Sequence, residues 1–421
     1  MLKKLKPKSE FSRNVLTLMT GTTIAQAIPI AISPILTRIY TPEDFGVFAL
    51  FVAITSIFGS IANGRYELAI MLPRKDEDAI NIFALGFIII SAISLTLLIF
   101  VILLHDYFIT LLNNKSIGVW LYFIPIAVFF IGLYNLLNYF HNRKKYYKDL
   151  AKATIMKSII AAVIQLSVGS IKDGASGLLS GQIISQMVAN IRLFRKIIRD
   201  KLLISNISKI KIIALAKRYK NFPKFSMWAI LLNTLSIHLT NIFIPAFFSI
   251  ATLGFYSLVQ RVLGLPSTLI GNAIGQVFFQ QATTEKQLTG KAIHAFNSTL
   301  KKLFIIGLPS FGLLFFIVED LFAFVFGEEW RIAGNYGQAV IPLFFFRFMS
   351  SALSLCLITF EKQISELTIN SILLLTSVSL VVLSQSFDSF LYYYSIIMSI
   401  NYSSFLVYYY MLVKGKNVKN I

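Results

Sequence analysis

Carboxylates, histidines and cysteines are scarce in this sequence. Its 421 residues include 19 Asp and Glu against 39 Lys and Arg, with 4 His and a single Cys. The lone Cys356 excludes an intramolecular disulfide. Charged residues make up only 14% of the chain, whereas 56% of it is hydrophobic and 38 residues are Phe. With a mean hydropathy of +0.72, the chain is too apolar for a soluble domain of this length and is predicted to be a polytopic membrane protein.

Motifs that mark common enzyme active sites are also missing. The sequence has no His-Glu-x-x-His motif, no Gly-rich phosphate loop ending in Gly-Lys-Ser/Thr, no Gly-x-Ser-x-Gly elbow and no Cys pair. We therefore expect no catalytic residues, no metal site and no cofactor. A membrane-bound glycan polymerase or transferase stays an alternative, although the largest predicted outer loop, 319–337, is small for a catalytic surface. A channel is disfavoured because no filter segment stands out.

Uncharged apolar runs predict membrane-spanning helices. The run 83–104 carries no charge and is long enough to cross a hydrocarbon layer of roughly 30 Å. Helices are expected because an open sheet would leave backbone groups unpaired in lipid. We predict an all-α integral membrane protein with about twelve transmembrane helices. The predicted spans are 13–39, 45–72, 79–104, 118–140, 151–171, 174–198, 222–248, 252–280, 299–318, 338–360, 364–385 and 388–413.

A basic connection divides these spans into two sets of six. It predicts an N-terminal six-helix lobe at 1–198, a basic cytoplasmic linker at 199–221 and a C-terminal six-helix lobe at 222–421. The linker is either a solvated segment or an interfacial amphipathic helix, since its Ile and Lys residues do not separate cleanly onto two helix faces.

An internal repeat relates the two predicted lobes. Residues 44–50 match 252–258 at an offset of 208 residues, which places Gly46 over Gly254. Because an even number of helices separates the two copies, the lobes are expected to be related by a pseudo-twofold axis along the membrane normal. Chance similarity between two apolar helices is the alternative.

Positive residues fall in alternate loops, which predicts the orientation. This pattern explains the net charge of +20 better than nucleic-acid binding does, and we expect no nucleic-acid partner. The first apolar segment is expected to be a retained helix, with both termini cytoplasmic. The residues on the predicted cytoplasmic side are Lys3, Lys4, Lys6, Lys8, Arg74, Lys75, Arg143, Lys144, Lys145, Lys148, the Lys and Arg within 192–224 and 286–302, Lys362, Lys414, Lys416 and Lys419.

Four arginines in or beside the spans are candidate substrate ligands: Arg38, Arg65, Arg261 and Arg347. An arginine at mid-bilayer costs about 2.5–3.5 kcal/mol, so we expect these residues to face a wet cavity, where a guanidinium suits phosphate oxygens. Two of them have an alternative explanation. Arg38 is close enough to a helix end to snorkel to the surface. The alternative for Arg65 is a structural contact with another helix. Pairing with Glu67 is expected to be poor, because residues at i and i+2 point to different sides of a helix.

Polar residues without charge extend the candidate site. Gln26, Asn272 and Gln276 are predicted to contact the substrate, and Asn272, Gln276 and Gln280 form one helical stripe. The same stripe could instead bond to a neighbouring helix. Glu67 and Glu361 are candidates for coupling to protons or sodium, although both are close enough to a helix end to be interfacial.

The N-terminal quarter of the chain resembles a known family. Arg13–Val15, Leu36–Gly46 and Gly64–Glu67 are similar to the Wzx-type O-antigen and polysaccharide flippases, within the superfamily that holds the lipid II flippase and the MATE exporters. The likeness is strongest over 11–80. Elsewhere it depends on helix number, charge pattern and the repeat.

The resemblance implies a function. It implies movement of an undecaprenyl-diphosphate-linked oligosaccharide from the cytoplasmic to the periplasmic leaflet of a bacterial inner membrane, by alternating access through a cationic central cavity. Arg38 and Arg65 take the role of cavity arginines by resemblance, whereas Arg261 and Arg347 are added by position. A polysaccharide polymerase and a chain-length regulator are the implied protein partners. The main rival is a MATE-like exporter of small cations, which would need carboxylates inside the membrane.

Overall fold

The fold is described from a computed structural model that covers residues 10–112 and 114–415, with side chains from residue 20 onward apart from that of Gln363. Helices account for nearly all of these residues, and no strand occurs in this part of the chain. The predicted orientation of both termini depends partly on lysines that lie outside the described residues. These lysines are Lys3, Lys4, Lys6, Lys8, Lys416 and Lys419.

Two compact units divide the helices, Met1–Thr234 and Leu235–Ile421. The first unit contains α1 (Glu10–Ala31), α2 (Ser33–Ile39), α3 (Pro42–Ile61), α4 (Tyr66–Ala69), α5 (Asp76–Leu103), α6 (His105–Leu111), α7 (Gly118–Leu121), α8 (Ile124–Arg143), α9 (Tyr147–Gly169), α10 (Ser176–Ile198), α11 (Lys201–Ser205), α12 (Lys209–Arg218) and the start of α13 (Met227–Phe247). The second contains the rest of α13, α14 (Ile250–Leu263), α15 (Asn272–Thr289), α16 (Ile293–Phe326), α17 (Arg331–Leu353), α18 (Cys356–Thr359), α19 (Gln363–Leu383) and α20 (Phe387–Val413).

Eleven helical segments of the described chain are long and apolar enough to span a membrane. They confirm the prediction of an all-α multi-pass membrane protein. The sixth predicted span, 174–198, is present as α10 but does not belong to the eleven. Its polar residues explain the difference, since Arg192, Arg195 and Lys196 lie in its last turns and Gln186 is buried within it.

The second helix of each predicted lobe begins in the same way. The side chain of Thr41 accepts a hydrogen bond from the Asp44 amide and begins α3, and that of Ser249 accepts one from the Thr252 amide and begins α14. Thr41 and Ser249 are separated by the same 208 residues as the repeat. The repeat therefore includes a helix-capping residue that the apolar match alone did not identify.

Both of these helices change at a comparable place. The span predicted at 45–72 was wrong in detail because its helix ends early, whereas the span predicted at 252–280 lies within one membrane-length segment, Ile250–Thr289. Helix α3 ends at Ile61, and 62–65 form a turn. Helix α14 ends at Leu263 and is followed by a π-helical stretch, Pro266–Gly271. Glycine is conformationally free and proline lacks a backbone N–H donor, so both residue types favour a break in a helix at these points.

The outer loop predicted at 319–337 is almost entirely helical. Helix α16 continues to Phe326, a 3₁₀ turn covers Glu328–Trp330, and α17 begins at Arg331. Arg331 holds the connection together by contacting Glu328 at 2.5 Å, Asp320 at 2.7 Å and Glu319 at 3.5 Å. The predicted boundaries of this loop were wrong because its charged residues ended the apolar runs before the helices themselves ended.

The basic connection after α10 contains the two short helices α11 and α12. Asn81 on α5 accepts a hydrogen bond from the Ser208 amide at 2.8 Å and donates one to the Asn206 carbonyl at 2.9 Å. Lys211 on α12 forms an ion pair with Glu77 at 2.9 Å. The segment predicted as the linker, 199–221, is thus anchored to α5 of the first unit.

A close helix crossing organises the first unit. The Tyr40 hydroxyl donates a hydrogen bond to the Gln165 carbonyl at 2.6 Å, and its ring is buried. Methyl groups at Gly169 or Gly177 would lie 2.3 Å and 1.9 Å from the Tyr40 oxygen. Helices α9 and α10 can approach this side chain only because both positions lack a Cβ.

The only cysteine lies in the second unit. Cys356 begins the short helix α18 and is fully buried, with 0% of its surface exposed. Its neighbours Leu357 and Leu353 are also buried. Burial in apolar surroundings makes such a thiol unreactive.

Candidate functional site

Arg65 and Glu67 form an ion pair in the turn that follows α3. An Arg65 Nη1 lies 3.2 Å from a Glu67 carboxylate oxygen, and the Glu67 side chain is only 3% exposed. Our expectation that these two residues would pair poorly was wrong. The helix has already ended, and Arg65 has a left-handed φ of 63°, which places both side chains on the same side.

The turn is held by contacts within the first unit. Asn63 donates a hydrogen bond to the Gly132 carbonyl of α8 at 3.0 Å, and Tyr66 donates one to the Ala216 carbonyl of α12 at 3.0 Å. A non-glycine residue in the left-handed region costs about 1–2 kcal/mol, so these contacts must hold Arg65 in place. Arg65 Nε and Glu67 Oε2 are buried with no hydrogen-bond partner among the described residues. The pair therefore retains unused donor and acceptor capacity.

Arg347 lies in a polar cluster of the second unit. The Tyr256 hydroxyl lies beside the side chains of Gln260 and Tyr394, and Tyr394 also lies beside Ser377. Arg347 is close enough to both tyrosines to interact with them electrostatically, and its guanidinium lies 5.8 Å from the centre of the Phe344 ring. We call Tyr256, Gln260, Arg347, Ser377 and Tyr394 the tyrosine cluster.

The tyrosine cluster combines residues of four helices. Helix α14 supplies Tyr256 and Gln260 at i and i+4, α17 supplies Arg347, α19 supplies Ser377 and α20 supplies Tyr394. Asn241 of α13 extends it by donating to Gln260 Oε1 at 3.2 Å. The result is a set of buried and half-buried hydroxyl and amide groups close to one cation.

Neither Arg347 nor Arg261 has a carboxylate partner. Among the described residues no Asp or Glu lies within 4.0 Å of either guanidinium. Arg261 follows Gln260 on α14 and is half-buried. An unpaired guanidinium inside a membrane protein is costly, and an anionic ligand would offset that cost.

The other predicted substrate ligands are exposed. Arg38, near the end of α2, donates to the Pro34 carbonyl one turn earlier at 2.6 Å. Gln26 is exposed on α1, while Asn272 and Gln276 are exposed along one stripe of α15. Among the described residues no hydrogen bond joins Asn272 or Gln276 to Arg261 or Arg347, so their shared role stays a prediction.

Glu361 lies at a turn rather than inside a helix. Its φ is 58°, its side chain is 80% exposed, and a carboxylate oxygen lies 3.6 Å from Lys286 Nζ. Glu67, by contrast, is buried. Burial raises the pKa of Glu67, and the neighbouring Arg65 opposes that rise. Of the two coupling candidates, Glu67 is therefore the buried one and Glu361 the exposed one. Among 20–112, 114–362 and 364–415, no cluster of metal ligands is found.

Sequence reasoning missed Tyr256, Tyr394 and Ser377. The spacing of Tyr256 and Gln260 at i and i+4 was a usable signal, since it places two polar groups on one face of an apolar helix. No comparable sequence signal pointed to Tyr394. It ends the run Tyr392–Tyr394, which is typical of the aromatic belt at a membrane interface.

Comparison with known proteins supports the family and the fold. A family model described as polysaccharide biosynthesis protein matches residues 35–333. No curated protein matches the sequence. An inward-facing multidrug resistance MATE family transporter of the MOP superfamily shares 14% identity, with a TM-score of 0.72 over 95% of this chain and 96% of that one.

Two further solved structures are similar. The lipid II flippase MurJ in an inward closed conformation shares 14% identity, with a TM-score of 0.71 over 93% of this chain and 87% of that one. An outward-facing MATE family transporter shares 12% identity, with a TM-score of 0.61 over 96% and 95% of the two chains. At these identities the likeness shows a common fold.

Proposed function

Because the chain belongs to the polysaccharide biosynthesis protein family, we propose that it is a flippase for an undecaprenyl-diphosphate-linked oligosaccharide. It moves this lipid from the cytoplasmic to the periplasmic leaflet of a bacterial inner membrane by alternating access through a cationic central cavity. Both termini are cytoplasmic in this proposal, and the protein carries out no covalent chemistry. A polysaccharide polymerase and a chain-length regulator are its proposed partners.

The observation that carries the proposal is Arg347 without a carboxylate. A diphosphate offers charged oxygens that match the planar donors of a guanidinium. Sugar hydroxyls both donate and accept hydrogen bonds, as do the hydroxyl and amide groups of the tyrosine cluster around Arg347. Arg261 supplies a second unpaired cation on the same helix as Tyr256. This combination of groups is suited to an anionic, hydroxylated ligand.

A MATE-like exporter of small cations is the second candidate, favoured by the similarity of fold to the multidrug transporter. Such a substrate would need a carboxylate to neutralise it. Glu67 is buried but already paired with Arg65, and Glu361 is exposed. The acidic groups described here thus favour the anionic lipid.

Changing Arg347 to Ala should slow translocation of a fluorescent undecaprenyl-diphosphate sugar in proteoliposomes by about tenfold or more, as expected for losing a charge-assisted hydrogen bond. Arg347→Lys keeps the charge but loses the planar fork, so its rate should be intermediate. The rate is measured from the fraction of fluorescence that a membrane-impermeant quencher removes, which reports the labelled lipid in the outer leaflet of the proteoliposomes.

Two controls accompany this measurement. Lys301→Gln removes an exposed positive charge from α16 and should leave the rate unchanged. Thermal unfolding of each variant checks that the fold is intact. Full activity in Arg347→Ala would contradict the proposed role, and efflux of an organic cation without lipid movement would favour the second candidate.

A further inference from the structure

A second basic site lies in the first unit and is lined by residues other than the predicted substrate ligands. A cavity of about 630 Å³ opens between the ends of α8, α9 and α10 that the positive-inside pattern places on the cytoplasmic side. Four cations and one carboxylate line it. These residues are Arg192, Arg195, Lys196, Arg199 and Asp149.

The four cations share one helix face. Arg192, Arg195 and Lys196 lie on α10 at i, i+3 and i+4. Arg199, at i+7, caps the C-terminal end of the helix with helical backbone angles, so the four side chains project in the same direction. Lys196 is partly neutralised because its Nζ lies 2.5 Å from an Asp149 oxygen. Among the described residues, Arg192, Arg195 and Arg199 form no ion pair. The cavity therefore has an excess of positive charge, with three guanidinium groups available to a ligand.

A buried histidine also lines the cavity. His141 is only 1% exposed, and its Nδ1 lies 2.9 Å from the Leu137 carbonyl, which requires Nδ1 to carry the proton. Its Nε2 is buried and has no partner within the described chain. Buried polar atoms are normally hydrogen-bonded, so an unpaired one beside a cavity indicates a missing partner. An acidic hydroxyl could donate to this nitrogen, or an anion could accept from it once it is protonated.

Apolar residues form the rest of the lining. They are Met156 of α9 and Val188 and Ile191 of α10, which lie farther from the ends of their helices than the arginines do. A fully soluble anion would gain nothing from them. An amphiphile would place its anionic head on the guanidinium groups and its chain along these residues.

We propose that this cavity, which we call the α8–α10 pocket, binds the phosphate headgroup of an anionic membrane lipid on the cytoplasmic side. The ligand chemistry is a phosphate anion with an attached apolar chain. A free phosphate or diphosphate shares the anionic part but not the apolar part, so the two sources can be separated by experiment. The pocket is distinct from the tyrosine cluster and does not depend on the transported substrate.

The test is native mass spectrometry of the purified full-length protein in detergent with added phosphatidylglycerol or phosphatidylcholine. Wild type should retain phosphatidylglycerol preferentially. Combining Arg192→Gln with Arg195→Gln should weaken this binding by roughly tenfold or more, since each basic residue near an anionic headgroup contributes substantially. Asp149→Asn should strengthen it several-fold, because Lys196 is then released from its ion pair.

The matched control combines Lys301→Gln with Lys302→Gln, which removes two exposed charges from another helix. It should bind lipid as wild type does. Equal weakening in the two double variants would overturn the proposal, as would equal retention of phosphatidylcholine by wild type. Displacement of the lipid by inorganic pyrophosphate at concentrations equal to that of the lipid would overturn the lipid assignment, whereas resistance to pyrophosphate would support it.

Discussion

Replacing Arg65 by alanine should lower the free energy of unfolding by about 3–5 kcal/mol, which is the usual cost of leaving a buried charge unpaired. The reason is Glu67, whose side chain is 3% exposed and whose carboxylate lies 3.2 Å from Arg65. Denaturant unfolding of the purified protein, followed by tryptophan fluorescence, measures the loss. Glu67→Gln should cost less, because Arg65 is partly exposed and can remain hydrated.

A double variant separates the two roles of Arg65. Arg65→Ala combined with Glu67→Leu removes both charges, so most of the lost stability should return. If lipid translocation returns with it, Arg65 acts only as the structural partner of Glu67. If stability returns without translocation, Arg65 contacts the substrate, as the sequence predicted. A double variant as unstable as Arg65→Ala alone would contradict the importance of the ion pair.

The effect of Arg65→Ala should also depend on pH. Burial raises the pKa of Glu67 and Arg65 opposes the rise, so removing Arg65 should raise that pKa further. A carboxyl with a raised folded pKa stabilises the fold below its unfolded pKa, and that stability is lost as pH rises through the folded value. The variant should therefore approach wild type at acidic pH and diverge from it toward neutral pH. A difference independent of pH would exclude Glu67 as the cause.

Gly177→Ala should destabilise the first unit by roughly 1–3 kcal/mol, the usual range for overpacking. The added methyl group would lie 1.9 Å from the Tyr40 oxygen and 3.0 Å from the Gly169 amide nitrogen. Tyr40 cannot move aside easily because its ring is buried and its hydroxyl is bonded to the Gln165 carbonyl. Thermal unfolding in detergent provides the measurement.

The chain offers a matched control and a rescue for Gly177→Ala. Gly312 also lies within a helix, but a methyl group there meets nothing within 4 Å, so Gly312→Ala should be neutral or slightly stabilising. Tyr40→Phe removes the clashing oxygen. Adding it to Gly177→Ala should cost less than the sum of the two single changes. Additive losses would show that the tyrosine hydroxyl is not the source of the strain.

The fold was predictable because lipid imposes a simple rule on sequence. Uncharged runs of sufficient length, such as 83–104, must be helices, and basic loops set their order. Helix ends were less predictable. Charges at Glu319 and Asp320 ended an apolar run, yet Arg331 pairs with both and the helix continues. Such pairing is a tertiary contact that hydropathy along the chain does not contain.

The candidate site was predictable only in part. Arg347 was identifiable because a guanidinium in the middle of a membrane span is energetically costly, which indicates a functional role. Its surroundings were not, since Tyr394 reaches Tyr256 from a helix more than 100 residues later in the chain. The Arg65–Glu67 pair was missed for a local reason. An i and i+2 pair is unfavourable in a helix, and only the left-handed backbone at Arg65 brings the two side chains together.

The burial of Cys356 makes the native chain suitable for site-directed labelling. Thiol reagents should leave the unmodified protein almost unlabelled under native conditions. Single cysteines introduced at exposed positions can then carry spin labels or fluorophores without first removing the natural residue. Pairs of such probes, one in each unit, would report distances between the units in a bilayer during turnover.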